Sequence, residues 1–310
     1  MSYELQPIYI AGPTASGKSD FAIRLARELD GIIISADSMQ IYKGLDVGTA
    51  KVSKSQQAEI PHKLIDIVNY DEEFSVAQFA ELARKEIDSA ISQGKYPIVV
   101  GGTGLYFEAL LYPMSFGNTV KNEALRAQLQ AEYQAKGGNY LHRKLGELDA
   151  ETAKRLHPND VKRIIRALEI ILTTGKTLKE NGDVLRDDPD VIMIAFDTDR
   201  EKLYARINER VDIMFEQGLA EEALSIGRFD CQSMQAIGYK EFADCKYTLE
   251  NGRYALSDGE EARIKDAIKQ HTRNYAKRQL TWFRRYKFIK WFECGDYGSA
   301  MQYIKSRLNR

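Results

Sequence analysis

Ile8-Tyr9-Ile10-Ala11-Gly12-Pro13-Thr14-Ala15-Ser16-Gly17-Lys18-Ser19 runs from a continuous apolar stretch into a glycine-bounded turn. The residues that follow, Phe21, Ala22, Leu25, Ala26 and Leu29, fall on one face of a helix. The turn has the spacing G-x-x-x-x-G-K-[ST]. A strand leading in and a helix leading out aim successive backbone N–H groups and the positive helix end at one point, which suits an anion. Lys18 adds a point charge for the outer phosphates, and the Ser19 hydroxyl is a ligand for Mg²⁺. Gly12, Pro13, Thr14, Ala15, Ser16, Gly17, Lys18 and Ser19 are therefore the candidate phosphate cradle.

Outward from this loop the pattern repeats. Ile32-Ile33-Ile34 ends at Ser35-Ala36-Asp37-Ser38, and a further apolar run, Leu64-Ile65-Asp66-Ile67-Val68, predicts a third strand. Ser75 caps a helix carrying Phe79, Leu82, Ala83, Ile87 and Ile91, with Gly94 as its stop. Ile98-Val99-Val100 then enters Gly101-Gly102-Thr103-Gly104. Continuous apolar runs alternating with amphipathic helices predict an α/β fold, a P-loop-type parallel sheet covered by helices on both faces. From about Asn118 to Asp190 the periodicity is helical throughout, closing at Arg186-Asp187-Asp188-Pro189-Asp190 before the strand Val191 to Phe196. The expected organisation is a catalytic core made of 1–117 and 191–310, interrupted by an inserted all-helical domain at 118–190.

Composition narrows the class. The chain has 310 residues, 44% hydrophobic and 29% charged, which suits one large domain with a smaller one. No basic leader and no apolar run of membrane-spanning length is present, so a cytoplasmic protein is expected, by default a monomer. Cys231, Cys245 and Cys294 lie far apart, and the histidines show no metal-ligand spacing. With a net charge of −1, any nucleic acid must be held by a local basic surface. One candidate surface is the C-terminal stretch Arg263, Lys265, Lys269, Arg273, Lys277, Arg278, Arg284, Arg285, Lys287 and Lys290, interleaved with Tyr275, Trp282, Phe283 and Tyr286. The competing reading is an amphipathic helix with a basic solvent side, in which Leu280, Trp282 and Phe283 are core. A second basic set is Lys162, Arg163 and Arg166. The partner motifs of GTPases are missing, with no N-K-x-D and no Asp three residues before a Gly. Gly101 stands where a motor ATPase would often place an acid. A small-molecule kinase or a transferase acting on a diphosphate remains.

Beyond the phosphate loop, further segments resemble the tRNA dimethylallyltransferase (isopentenyltransferase) family. They are Asp37 to Lys51 (DSMQIYKGLDVGTAK), Gly101 to Tyr106 (GGTGLY), Leu156 to Asp160 (LHPND) with Arg163 and Arg166, Ala236 to Glu241 (AIGYKE), and Arg273 to Trp282. The match runs in order from Ile8 to about Arg284, and Ser19 stands where many members carry Thr, which preserves the hydroxyl. The resemblance implies that the loop holds the diphosphate of dimethylallyl diphosphate and that the acceptor is the N6 amine of the adenosine next to the anticodon, tRNA position 37, reached by flipping the base out. It implies Asp37 as general base, Lys18 and Arg210 on the leaving diphosphate, and Thr103 beside the reacting centre. Arg206, one helical turn away, rivals Arg210. The tRNA contacts implied are Asp37, Ser38, Met39, Gln40, Thr103, Arg126, Lys162, Arg163, Arg166, Gln235, Gly238, Tyr239, Lys240, Arg273, Lys277 and Arg278, with Mg²⁺ at Ser19. From the residues alone, an Asp after a strand, such as Asp37, is more often a helix or turn cap than a base. An adenylate isopentenyltransferase, a small-molecule kinase and a non-catalytic RNA-binding protein are the alternatives.

Overall fold

Four consecutive buried residues make β1 (Ile8–Ala11) the centre of a sheet, and the helix after the phosphate loop, α1 (Lys18–Leu29), turns Phe21, Ala22, Leu25 and Ala26 toward it. The computed structural model of the protein describes residues 5–112, 122–177 and 189–308. β2 (Gly31–Ser35), α2 (Lys54–Glu59), β3 (His62–Lys63), α3 (Val76–Ser92), β4 (Tyr96–Val100) and α4 (Gly104–Leu111) complete the first part. The helices α5 (Glu123–Lys136), α6 (Gly138–Leu148), α7 (Ala150–Arg155) and α8 (Val161–Thr174) follow. The chain then returns through β5 (Ile192–Asp197), α9 (Arg200–Glu216), α10 (Leu219–Ile226), the hairpin β6 (Tyr247–Glu250) and β7 (Arg253–Leu256), α11 (Asp258–Phe283), β8 (Lys290–Glu293) and α12 (Tyr297–Leu308).

Six strands form one sheet in the order β3-β2-β4-β1-β5-β8, every pairing parallel. Apolar residues line both faces, with Tyr9, Val99 and Met193 in one core and Ile8, Ile98 and Ile192 in the other. That two-sided burial is why the strands read as unbroken apolar runs. In the order β2-β4-β1, three neighbouring strands end at the same sheet edge. Their following loops carry Asp37, Gly101 to Thr103, and the phosphate loop, and it is at such an edge that open α/β sheets bind ligands.

The expected strand at Leu64 to Val68 is corrected. Pairing with β2 covers only His62 and Lys63, because Leu64 and Asp66 have positive φ (62° and 56°) and cannot continue a strand. Val68 keeps an isolated bridge to Tyr42. Capping proceeds as the residues require: Ser75 accepts from the Gln78 amide while Gln78 reaches back to Ser75.

The chain divides into two compact units, Met1–Leu111 with Asp188–Arg310, and Tyr112–Asp187. The expected boundary at 117/118, and Arg186 to Asp188 of the predicted turn, lie outside the described residues. In the second unit, α5 to α8 pack around Leu129, Leu141, Leu145, Ile164 and Leu168. This core also holds Glu169, which is fully buried. Arg126 grips its carboxylate through Nε and Nη2 at 2.9 Å each, Arg166 donates at 2.6 Å, and the Asn122 amide donates at 3.0 Å. Burial alone would raise the Glu169 pKa, but the bonds from Arg126 and Arg166 outweigh it and hold the carboxyl ionised. A buried carboxylate needs such partners. Arg126 and Arg166, expected on RNA, also hold this buried carboxylate, each keeping about a third of its side chain exposed, whereas Lys162 and Arg163 are exposed.

Candidate active site

Gly17, at φ 81°, caps α1 without a side-chain bond, so the first-turn amides of the helix are left facing the phosphate loop. Lys18 folds back over this loop, its Nζ donating to Pro13 O at 3.1 Å. Burial pushes the Lys18 pKa down to about 8, against the pull of the Asp37 carboxylate and with the help of Arg210. Ala15 packs on Leu203, Ile207 and Ala276, which ties the loop to α9 and α11. Ser16 Oγ is buried beneath the loop without a protein partner.

Lys18, Ser19 and Thr14 border a cavity of about 440 Å³, within the range of small-molecule sites. The same cavity is lined by Asp37, Ser38, Met39, Gln40, Arg210, Gln235, Lys240, Tyr275 and Arg278. Val211, Met214, Ile237 and Ile268 supply an apolar wall. Arg210 reaches the loop itself, with Nη1 3.5 Å from Thr14 Oγ1, and burial lowers its pKa, although a guanidinium stays cationic. Arg206 does not line the cavity; it lies near Cys294 and Tyr297.

Asp37 closes an Asx turn, Oδ1 accepting from the Met39 amide at 2.9 Å. Thr103 sits beside it: Thr103 Oγ1 accepts from the Ser38 amide at 3.0 Å, and the Thr103 amide donates to Ala36 O at 3.2 Å. This approach requires Gly101, where a Cβ would lie 2.1 Å from Ala36 O. Two of the loops at the sheet edge are thus locked together by backbone contact.

Other expected residues have different surroundings. Tyr239 is completely buried and its hydroxyl donates to Glu222 Oε1 at 2.6 Å, so a direct RNA contact is corrected to a support. Gly238 backs onto Gly48, and its amide donates to Glu241 at 2.8 Å. On α11, Arg263 pairs with Glu260, Lys265 with Glu261, Lys269 with Asp212, and Arg284 with Asp197. Part of the basic stretch is thus engaged in ion pairs near the surface. Arg273 donates to Asn208 Oδ1 at 2.7 Å, Arg273 and Lys277 flank the Tyr204 ring, and Arg278 lies over Tyr275. Phe283 is core, edge-on to Phe107, and Lys290 belongs to β8.

Some site residues carried no signal in the sequence. Glu222, in α10, accepts from the amides of Asp46, Val47 and Gly48 at 2.8 to 3.0 Å, besides Tyr239. One carboxylate thereby fixes the turn that leads to Thr49, Ala50 and Lys51 on the cavity wall. Gln279 and Tyr297 reach the phosphate loop from far along the chain.

The donor set fits a divalent ion bound through its substrate. Among the described residues no group of three or more His, Cys, Asp or Glu could hold a metal, while Ser19 offers one hydroxyl at the cavity rim. Mg²⁺ commonly takes one or two protein ligands, with the remainder from phosphate oxygens and water. Among the described residues, no helix is long and apolar enough to cross a membrane.

Comparison with known proteins agrees with this arrangement. The family model described as IPP transferase matches residues 40–286, and that described as isopentenyl transferase matches 6–69. The tRNA dimethylallyltransferase of Alkaliphilus oremlandii is 48% identical over 303 residues, 94% of this chain and 93% of that protein. The crystal structure of tRNA isopentenylpyrophosphate transferase from Bacillus halodurans is 40% identical, with a TM-score of 0.69, covering 98% of this chain and 97% of that one. A eukaryotic dimethylallyltransferase captured acting on tRNA is 27% identical, with a TM-score of 0.78, covering 97% of this chain and 77% of that one. A parallel sheet whose phosphate loop and Asp37 face one cavity, and nearly full-length similarity at this level, lead to one conclusion: the chain belongs to the tRNA dimethylallyltransferase (IPP transferase) family.

Proposed function

We propose that the protein transfers a dimethylallyl group from dimethylallyl diphosphate to N6 of the adenosine next to the anticodon of tRNA, in the cytoplasm. The observation that carries this reading is the single cavity lined by a phosphate loop, a carboxylate and an apolar wall. The diphosphate lies against Lys18, Arg210 and the first-turn amides of α1, and the five-carbon chain lies along Val211, Met214 and Ile268. The adenine enters beside Asp37, Ser38 and Thr103.

In the reaction the allylic C–O bond breaks, its electrons leave on diphosphate, and N6 forms the new C–N bond. The proton lost from N6 passes to Asp37. Lys18 and Arg210 stand ready where negative charge grows on the leaving oxygen, so they stabilise it without reorganising. Ser19 would hold Mg²⁺, which supplies further positive charge to the donor's phosphates. Met39 and Gln40 border the acceptor pocket, while Lys162 and Arg163 on the insertion and Arg273, Lys277 and Arg278 on α11 meet RNA phosphates.

The test is incubation with Mg²⁺, labelled dimethylallyl diphosphate and either bulk tRNA or AMP. Label is expected in tRNA and not in AMP; label in AMP, or in neither acceptor, overturns the reading.

A pH dependence follows from Lys18. Its ammonium must be charged to attract the donor, and its pKa in the free protein is lowered to about 8. The charge is present below that value and lost above it. The kcat/KM for the donor, which reports the free enzyme, is therefore expected to fall about tenfold per pH unit above roughly pH 8. Lys18→Arg, cationic throughout, should flatten that limb.

A further inference from the structure

The side chain of Gln279, about one turn before the end of α11, enters the cleft between the phosphate loop and the Gly101–Thr103 turn. It is 5% exposed. Its Oε1 accepts from the Thr14 amide at 3.0 Å, and its Nε2 donates to Gly102 O at 3.0 Å. One planar carboxamide thus holds a donor of one loop and an acceptor of the other. The contact is close enough that a Cβ on Gly102 would lie 2.1 Å from Nε2.

Tyr275 precedes Gln279 by one helical turn, on the same face. Its hydroxyl lies next to Thr103 and Gln279, and the residue borders the cavity. Thr103 in turn accepts from the Ser38 amide. A row of polar groups runs from Thr14 through Gln279, past Tyr275 and Thr103, to Ser38. It crosses the loops after β1, β4 and β2 in turn, with α11 as its common anchor.

We infer that Gln279, assisted by Tyr275, is a positioning residue that sets the spacing between the donor loop and the acceptor turn and couples occupancy of one to the order of the other. The alternative duty, simply satisfying buried backbone groups, predicts a loss of stability alone. A spacing duty predicts a loss in the chemical step, because displacement of reacting groups by about 1 Å costs on the order of 100-fold in rate.

The inference rests on the prenyl-transfer reading for its rate assay, and a second assay is independent of it. Gln279→Met keeps length and removes both bonds; Tyr275→Phe removes one hydroxyl. Single-turnover transfer at saturating tRNA and donor is expected to fall about 30-fold or more in Gln279→Met and about fivefold in Tyr275→Phe, with KM for the donor within about threefold. In a Thr103→Val background the Tyr275→Phe effect should shrink below about twofold, since both hydroxyls act at one contact.

The second assay is amide hydrogen exchange with inorganic pyrophosphate as probe. Pyrophosphate should slow exchange across the Gly101–Thr103 turn in the wild type and leave it unchanged in Gln279→Met. Equal protection in both proteins overturns the coupling, as does a Gln279→Met rate within about twofold of wild type or a loss residing wholly in KM. If the wild type transfers no label, the prenyl-transfer reading fails by itself and the exchange comparison still decides the brace.

Discussion

Asp37→Asn should all but abolish prenyl transfer, lowering the single-turnover rate by on the order of 10³-fold while leaving tRNA affinity within about threefold. The asparagine is chosen because Asp37 has two separable duties. Its Oδ1 holds the Met39 amide in an Asx turn, and an asparagine oxygen keeps that bond. What disappears is the capacity to accept the amine proton. The adenine N6 lone pair is delocalised into the ring, so N6 is a poor nucleophile until a base takes its proton as the C–N bond forms. Among the described residues, no other carboxylate shares Asp37's position at the acceptor side; Asp20, the further acid on the cavity wall, follows the phosphate loop in α1.

Asp37→Ala separates the duties further, since it removes the turn as well as the base. Fluorescence-anisotropy binding of an anticodon stem-loop and a quench-flow measurement of transfer would be run on both variants. If RNA affinity falls in parallel with turnover in Asp37→Asn, Asp37 positions the acceptor and does not take its proton.

The legibility of these features in the sequence follows from how local each one is. The phosphate loop was readable because its cradle is made of backbone amides and one helix end, all encoded between Gly12 and Ser19. Asp37 and Thr103 were visible as the tips of apolar runs, since the residues after a buried parallel strand must emerge at the ligand edge. Asp66 and Leu64 misled because an apolar run says nothing of φ, and both residues adopt the left-handed region. The Asn251-Gly252 turn of the hairpin, by contrast, is a local signal, both residues having positive φ. The contacts of Glu222, and of Gln279 within the Arg273 to Trp282 segment, were out of reach for a different reason. Each acts across more than 170 residues of chain, on backbone groups that carry no side-chain identity to match. The charges of α11 lay between these cases: its bases were obvious, but their acids on α9 and on the same helix were not.

Arg210→Met is expected to lower transfer by about 10² to 10³-fold, and Arg206→Met by less than about threefold, although the two arginines stand one helical turn apart. The difference arises from where α9 directs them. Ile207, Val211 and Met214 pack inward, and Arg210 on the adjoining edge lines the cavity within reach of Thr14, whereas Arg206 lies toward Cys294 and Tyr297. Methionine preserves the unbranched aliphatic stem, so packing against the cavity wall is largely kept while the charge is lost. An arginine that contributed equally to ground state and transition state would change KM alone. Placed against the leaving phosphate, Arg210 gains interaction as the C–O bond lengthens, so kcat should carry most of the loss. The assay is single-turnover transfer with donor varied at saturating tRNA. Equal losses in Arg206→Met and Arg210→Met would show that the field of the helix face matters more than one aimed guanidinium. A loss confined to KM in Arg210→Met would place that residue in donor capture and leave Lys18 to bear the developing charge.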